Sequence, residues 1–254
     1  MVKRDDIVQF CNECLQADTF KDYCYNGLQI EGKKEIESIV IGVSLSRRFI
    51  EKAIEENTDM IIVHHGLFKS QLGDPPRIAG IFRERIKLIL DNDINLCGYH
   101  LPLDAHPEIG NNISLARLFE LQNIETLHSP YYGEIGYIGE LQNSMKFIDF
   151  VEFVDHKLHT NSYFLAAGPS VVSRIGIVSG GGSLEYSGAL EKKADTFLTG
   201  EIRENIVREV EEYHINFINA GHYNTEKLGI KNLGTLLSEK YGIRIKFIDI
   251  PCSI

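Results

Sequence analysis

Histidines and acidic residues recur in this sequence at spacings typical of metal ligands. Two histidines are adjacent, and two later histidines each precede an acid by four positions: His64 with His65, His100 with Asp104, and His222 with Glu226. Imidazole nitrogen and carboxylate oxygen together suit zinc, iron, manganese and similar ions, whereas closed structural zinc sites more typically contain thiolates. The pattern therefore predicts a pair of divalent metal ions held by His64, His65, Asp104, His222 and Glu226.

Glu226 is the candidate for a carboxylate that bridges the two ions. If it lies in the first turn of a helix that begins near His222, the spacing of four places both side chains on one helix face. Asp104 lacks this support, because Pro102 predicts an extended loop between His100 and Asp104. The ligand types leave the metal open among zinc, iron and manganese, since cellular supply decides among them.

Two of these assignments have alternatives. Adjacent histidines in an extended strand point to opposite sides, so one of His64 and His65 would enter the core and the other would face solvent. Two explanations fit His100 equally well: it forms a hydrogen bond to a ligand residue, or it binds a metal ion directly. A further role for His100, and one for Glu201, is to shuttle protons during a reaction.

The elements that must position these residues occur twice along the chain. The first copy is a β-branched strand, a segment of helical spacing and a second apolar strand, over residues 38–44, 47–56 and 59–63. The same order recurs over residues 174–179, 184–193 and 195–199. Alignment of the two copies places His64 and His65 opposite Gly200 and Glu201.

One more strand completes each copy, over residues 94–99 and 215–220, and a histidine follows each strand closely. The repeat predicts an α/β protein with two similar halves, residues 1–128 and 129–254, each a mostly parallel sheet flanked by helices. In such sheets ligands bind beyond the carboxyl ends of the strands. The candidate residues all fall at those ends.

Composition narrows the function classes. The 254 residues carry a formal net charge of -10 at pH 7, which gives duplex nucleic acid no general electrostatic reason to bind. No apolar stretch has the length of a signal-peptide core or a membrane span. Five cysteines are an odd number for a disulfide framework and fit a reducing compartment. We expect a cytoplasmic protein with no membrane partner.

Five motifs in order resemble the NIF3-like family, also called DUF34 and in some cases GTP cyclohydrolase I type 2 homologues. They are Tyr25-Asn26-Gly27-Leu28-Gln29, Val63-His64-His65-Gly66, Tyr99-His100-Leu101-Pro102-Leu103-Asp104 followed by Gly110-Asn111-Asn112, Thr199-Gly200-Glu201, and Gly221-His222 with Glu226. The resemblance spans nearly the whole chain. It implies two interlinked α/β domains, a dinuclear metal site with the five ligands named above, and a toroidal homohexamer whose sites face an internal cavity.

Two functional hypotheses follow from these residues. The first is a metal-dependent hydrolase, because two ions lower the pKa of a shared water molecule and polarise the bond under attack. The family label points to ring opening of a purine nucleotide as one such reaction. The second is a metal-binding regulatory or interaction protein without turnover. Nucleic-acid binding would require a basic channel that only assembly could create, with strong salt dependence.

Overall fold

The computed structural model describes residues 1–69 and 77–252. As far as residue 105 the elements are β1 (Val2–Lys3), α1 (Arg4–Leu15), β2 (Gly27–Ile30), β3 (Glu35–Ile36), β4 (Ser38–Ser44), α2 (Arg47–Glu55), β5 (Met60–His65), α3 (Gly80–Asp91), β6 (Asn95–Gly98) and α4 (Leu101–Ala105). Beyond residue 105 they are α5 (Asn111–Leu118), β7 (Gln122–Ser129), β8 (Gly133–Lys146), α6 (Phe147–Leu158), β9 (Tyr163–Leu165), β10 (Val171–Ile177), α7 (Tyr186–Glu191), β11 (Thr196–Thr199), α8 (Glu204–Glu212), β12 (Asn216–Asn219), α9 (His222–Thr225), α10 (Lys227–Tyr241) and β13 (Arg244–Phe247). None of the helices in these ranges combines the length and the hydropathy that crossing a membrane requires.

Contacts within the chain divide it into two compact units. The first unit comprises Met1–Leu103 and Gly229–Ile250, and the second consists mainly of Asp104–Leu228. This contact-based division lies elsewhere than the predicted boundary between residues 128 and 129. The reason is strand pairing, since β13 near the C-terminus pairs with β4 of the first unit, whereas β7 pairs with β8 of the second.

The first unit is built on a five-stranded sheet with the order β13-β4-β5-β6-β2. The first three pairings are parallel, and β2 alone runs antiparallel to its neighbour β6. Strand β4 is buried at every residue except Ser44, as expected for a parallel strand covered on both faces. Phe49 and Ile50 of α2 pack in the core beside it, and the side chain of Ser46 caps that helix by accepting the N–H of Phe49.

The second unit contains a six-stranded mixed sheet with the order β7-β8-β10-β11-β12-β9. Only β10-β11 and β11-β12 pair in parallel, and the outer pairings are antiparallel. The α/β class is thus confirmed, but the expectation of a mostly parallel sheet is correct only for the first unit. The difference comes from the long β7-β8 hairpin, whose turn is fixed by Ser129 Oγ accepting the N–H groups of Tyr131 and Tyr132.

The predicted repeat is present in both sheets. Three consecutive parallel strands, β4-β5-β6 in the first unit and β10-β11-β12 in the second, are each followed by a short antiparallel strand, β2 or β9, beside the last of them. Both triplets end at the segments that carry the candidate ligands. The repeat therefore positions the same strand ends for chemistry in each unit.

The segment around Pro102 differs from its prediction. Residues Leu101–Ala105 form the short helix α4, not an extended loop. Pro102 is the second residue of that helix, where a backbone N–H would have no partner within the helix, so proline starts the helix without loss of a hydrogen bond. Asp104 is consequently held on a helical turn.

Candidate metal centre

His64 and His65 are the last two residues of β5 in the first unit. His64 is fully buried, and its Nδ1 lies 2.9 Å from the carbonyl oxygen of Tyr99. Because a carbonyl only accepts, Nδ1 carries the proton and Nε2 is the nitrogen with a lone pair. His65 Nδ1 lies 2.9 Å from Ser44 Oγ. The two ring centroids are 4.6 Å apart, so the rings lie together and do not diverge into core and solvent.

His100 joins these two histidines at the end of β6. Its ring centroid lies 5.1 Å from that of His64 and 5.5 Å from that of His65. Each of the three histidines offers a ligand nitrogen, and these atoms all lie within 4.8 Å of one another. The first unit thus brings three imidazoles together at the carboxyl ends of two adjacent parallel strands.

Asp22 is a site residue that the sequence analysis missed. Its carboxylate oxygens lie 2.9 and 3.1 Å from His100 Nδ1, and its side chain is 2% exposed. Burial by itself raises the pKa of Asp22, but the hydrogen bond and charge of His100 outweigh it and lower the pKa to about 2. Asp22 lies in a loop with no periodic pattern, so the only signal in the sequence was its residue type.

Asp104 begins the second unit and is buried there. Its Oδ1 accepts hydrogen bonds from Asn111 Nδ2 at 2.8 Å and from Ser179 Oγ at 2.9 Å. Ser179 is itself held by Asn112, whose Oδ1 accepts the Ser179 N–H at 2.6 Å. Two fixed donors therefore set the orientation of this carboxylate, as is usual for a metal-ligating acid.

His222 and Glu226 lie next to each other, as their spacing of four predicts. His222 begins α9, and its Nε2 lies 3.0 Å from Glu226 Oε2. On the other side of the ring, His222 Nδ1 donates to Glu201 Oε1 at 2.5 Å. Burial lowers the pKa of His222, but the hydrogen bonds and charges of Glu226 and Glu201 raise it to about 9. A divalent ion between His222 and Glu226 would take the place of that proton.

The glycine turn after β10 makes room for these ligands. Gly180 has a φ of +59°, and a Cβ at this position would overlap Glu226 Oε1 and lie 3.2 Å from His222 Nε2. At the next residue, Gly181, a Cβ would only approach Glu201 Oε2 at 3.8 Å. Glycine is therefore required at position 180 both by the backbone conformation and by the space that the Glu226 carboxylate occupies.

The donor set fits divalent metal ions. The chain carries groups of histidine and acidic side chains that could hold such ions, and the ligand atoms are nitrogens and carboxylate oxygens. Several of them are buried and oriented by a second hydrogen bond. A histidine that donates one ring N–H to a carbonyl or carboxylate is the usual partner of a protein-bound metal. Glu201 occupies this supporting position behind His222.

Comparison with known proteins gives the family of the chain. The profile of Duf34/NIF3 (NGG1p interacting factor 3) matches residues 2–252. The chain belongs to the NIF3 family. A relative from Haemophilus influenzae, named GTP cyclohydrolase 1 type 2 homolog, is 42% identical over 246 residues, which are 96% of this chain and 97% of the relative.

Solved structures of similar proteins have the same fold as this NIF3-family chain. The protein ybgI, described as of unknown function, superposes with a TM-score of 0.93 at 36% identity, and TTHA1606 from Thermus thermophilus with a TM-score of 0.88 at 33% identity. Each match covers 100% of both chains. The similarity therefore includes every element that positions the candidate ligands.

Proposed function

We propose that this NIF3-family protein binds two divalent metal ions and uses them to hydrolyse a small-molecule substrate. The proposed ligands are His64, His65, Asp104, His222 and Glu226. The observation that supports the proposal is that proposed ligands in both units are oriented by hydrogen bonds to other groups. The partners are the Tyr99 carbonyl for His64, Glu201 for His222, and Asn111 and Ser179 for Asp104. Such hydrogen bonds fix the tautomer and the orientation of a side chain, and they are usual behind residues that bind a metal.

The chemistry of such a centre is hydrolytic. Bound divalent ions lower the pKa of water and polarise the bond that is attacked. Glu201 accepts the His222 Nδ1 proton and is 42% exposed at its side chain, so this carboxylate both orients His222 and connects it to solvent. Asp22 fixes the Nδ1 of His100, so Nε2 is the ring nitrogen through which His100 would either move a proton or bind an ion, and these two roles exclude each other.

The substrate proposed first is a purine nucleotide, with ring opening as the reaction. The support is the name of the relatives, GTP cyclohydrolase 1 type 2 homolog, together with a donor set suited to hydrolysis. We also propose, from the family resemblance, that the protein assembles as a homohexamer. Analytical ultracentrifugation tests this directly, since the hexamer has the mass of six chains of 28.7 kDa and a monomer or dimer would contradict it.

A turnover assay with a matched pair of variants tests the hydrolase. The native protein, reconstituted separately with zinc, manganese and iron, is incubated with GTP and other nucleotides, and the products are separated by chromatography. Glu226→Gln keeps the shape of the side chain but removes its charge, and we expect turnover to fall by about a hundredfold or more. Glu212→Gln on the exposed face of α8 is the control and should leave turnover unchanged.

The assay separates the two functional hypotheses. Nucleotide turnover that depends on the metal and on Glu226 supports the hydrolase. Stoichiometric metal binding with no turnover of any nucleotide or other hydrolysable substrate contradicts it and favours a metal-binding regulatory protein. Turnover that survives Glu226→Gln unchanged would place the chemistry away from the proposed ligands.

A further inference from the structure

We infer that His100 is an additional metal ligand, coordinating through Nε2 and held in position by Asp22. The inference rests on the proposed metal function, because it names a sixth ligand for the ions that His64 and His65 hold. It concerns only residues of the first unit. Asp22 would then act as a positioning residue, comparable to Glu201 behind His222 in the second unit.

The hydrogen bonds of His100 determine which ring nitrogen can bind a metal. Nδ1 lies 2.9 and 3.1 Å from the two carboxylate oxygens of Asp22, and a carboxylate only accepts hydrogen bonds. The proton of a neutral His100 ring is therefore on Nδ1. Nε2 keeps its lone pair, which is the form of imidazole that ligates metals.

Asp22 is itself held rigidly enough to act in this way. Its Oδ1 accepts the N–H of Cys24 at 2.9 Å, and its Oδ2 accepts the N–H of Leu101 at 3.0 Å and Asn26 Nδ2 at 3.1 Å. Asn26 also accepts the backbone N–H of His100 at 2.7 Å through its Oδ1. The loop at residues 22–26 thus clamps both the ring and the backbone of His100.

A hydrogen bond to Tyr23 does not account for His100 Nε2. The Tyr23 hydroxyl lies 3.5 Å from this nitrogen, which is about 0.5 Å or more beyond the usual length of a hydrogen bond from a hydroxyl group. The Tyr23 ring instead makes an edge contact with the imidazole, with centroids 4.9 Å apart. Tyr23 in this edge contact supports the orientation of the His100 ring and leaves Nε2 able to bind another group.

The distances to His64 and His65 suit a shared ion. Metal–nitrogen bonds are about 2.0–2.1 Å long, so two nitrogens on one ion lie at most about 4.2 Å apart. The ligand nitrogens of His64, His65 and His100 lie within 4.8 Å of one another before any ion draws them in. The spacing of the three imidazoles is therefore close to the spacing that ligation of one ion requires.

Counting imidazole ligands tests the inference. In a background carrying Asp104→Asn, His222→Asn and Glu226→Gln, the proposed ligands of the second unit are removed and those of the first remain. This full-length protein is loaded with one equivalent of Cu²⁺, and pulsed EPR counts the coordinated imidazoles. We expect three imidazoles in the background and two after a further His100→Asn substitution, with Cu²⁺ affinity falling roughly tenfold or more.

Three further variants show whether the effect is ligation or packing. The amide group introduced by His100→Asn keeps a donor near the place of the histidine Nδ1 and preserves the contact with Asp22, whereas His100→Gln loses that contact. Asp22→Asn should weaken Cu²⁺ binding about tenfold while the protein stays folded by circular dichroism. Tyr23→Phe should leave both affinity and ligand count unchanged.

The outcomes are distinct from those that test the proposed function. An unchanged imidazole count in His100→Asn, or a background that binds no Cu²⁺ while the native protein does, overturns the role of His100 and leaves the dinuclear proposal standing. A native protein that binds no divalent ion overturns both.

Discussion

The two units of this protein share a sheet framework down to individual hydrogen bonds, yet carry different side chains at its strand ends. Asp59 precedes β5, and its Oδ2 accepts the N–H groups of residues 37–38 at 2.9 and 3.1 Å. Asp195 precedes β11, and its Oδ2 accepts the N–H groups of residues 173–174 at 2.7 and 2.8 Å. In each unit the carboxylate before one parallel strand thus bonds to the backbone of the neighbouring strand or of the residue just before it.

An asparagine repeats the same pattern one strand further on. Asn95 Oδ1 accepts the N–H of residue 32 at 2.8 Å, and its Nδ2 donates to the carbonyl of residue 33 at 2.8 Å. Asn216 does the same with residues 168 and 169, at 2.9 and 2.8 Å. These matching contacts support the internal repeat more strongly than the few identical residues in the sequence do.

The side chains at the strand ends differ between the units because the space around those positions differs. Gly200 stands where His64 stands in the first unit, and a Cβ at Gly200 would lie 2.7 Å from His222 Cα and from Thr225 Oγ1. A histidine is therefore excluded from that place. The first unit provides imidazoles and the second provides carboxylates with one imidazole, which shows that a repeated framework can be conserved while its loops diverge in chemistry.

The largest expected effect is at the glycine turn of the second unit. We expect Gly180→Ala to reduce bound metal by at least about tenfold, because the new Cβ would displace the Glu226 carboxylate. Gly133→Ala is the control, since Gly133 also has a positive φ, +75°, but has no atom within 4 Å of an added Cβ. Mass spectrometry of bound metal compares the two. Equal metal content in both variants would contradict the steric role of Gly180.

The next effect tests the equivalence of the two frameworks. Asn95 and Asn216 are fully buried, so replacing either by alanine leaves backbone groups without their partners. We expect Asn95→Ala and Asn216→Ala each to lower the free energy of unfolding by about 3 kcal/mol. Urea unfolding measures this, with the exposed Asn205→Ala expected to change it by less than about 0.5 kcal/mol. If only one of the two substitutions lowered the free energy of unfolding, the two asparagines would not have equivalent roles in the two units.

A smaller effect tests one place where the two cores differ. Glu185 is 3% exposed, and the alignment of the two copies places it opposite Phe49, which is 1% exposed. Burial raises the pKa of Glu185 above its ordinary value of 4.5, against a hydrogen bond from Ser129 and the charge of His128. Among the described residues its Oε2 has no hydrogen-bond partner.

The pH dependence of Glu185→Gln follows from this raised pKa. Stability from protonated Glu185 is fully present below pH 4.5 and is lost as pH rises through the higher pKa of the folded state. We expect Glu185→Gln to stabilise the protein by about 1 kcal/mol at pH 7 and by little at pH 4. Thermal unfolding at the two pH values measures the difference. A variant less stable than the native protein at pH 7 would contradict this prediction.

The smallest effect concerns the start of the first helix in each repeat. Ser46 caps α2 through its side chain, whereas in the second unit Gly182 precedes the 3₁₀ turn Ser183–Glu185 that leads into α7, and no side chain caps that turn. We expect Ser46→Gly to cost a few tenths of a kcal/mol and Ser46→Ala about 1 kcal/mol. Chemical denaturation measures which of the two variants is less stable. If Ser46→Gly were less stable than Ser46→Ala, glycine would not be an adequate substitute for serine as the N-cap of the helix.

Much of the framework could be predicted from the sequence because it depends on local pattern. The apolar run over residues 38–44 forms β4 with those bounds, and the spacing of four between His222 and Glu226 brings their side chains together. The repeat itself is confirmed by strand order. These features need only short-range periodicity and residue type.

The features that the sequence did not predict depend on contacts between distant segments. Strand β7 is mostly exposed and shows no regular alternation of buried and exposed residues, so nothing marked it as an edge strand until its pairing with β8 was known. Asp22 acquires its role only through contact with His100, 78 positions away in the chain. The division into the two contact-based units also depends on a contact between distant segments, because β13 pairs with β4 across nearly the whole chain length.

The most direct test of the central claim is the number of metal ions per chain. Mass spectrometry is applied to protein purified without an affinity tag, for the native chain and for the double variant His65→Ala, Glu226→Ala. The proposal predicts about two ions per native chain and few in the variant. Negligible metal in the native protein, even after reconstitution with zinc, manganese and iron, would contradict it and leave the histidines with a purely structural role.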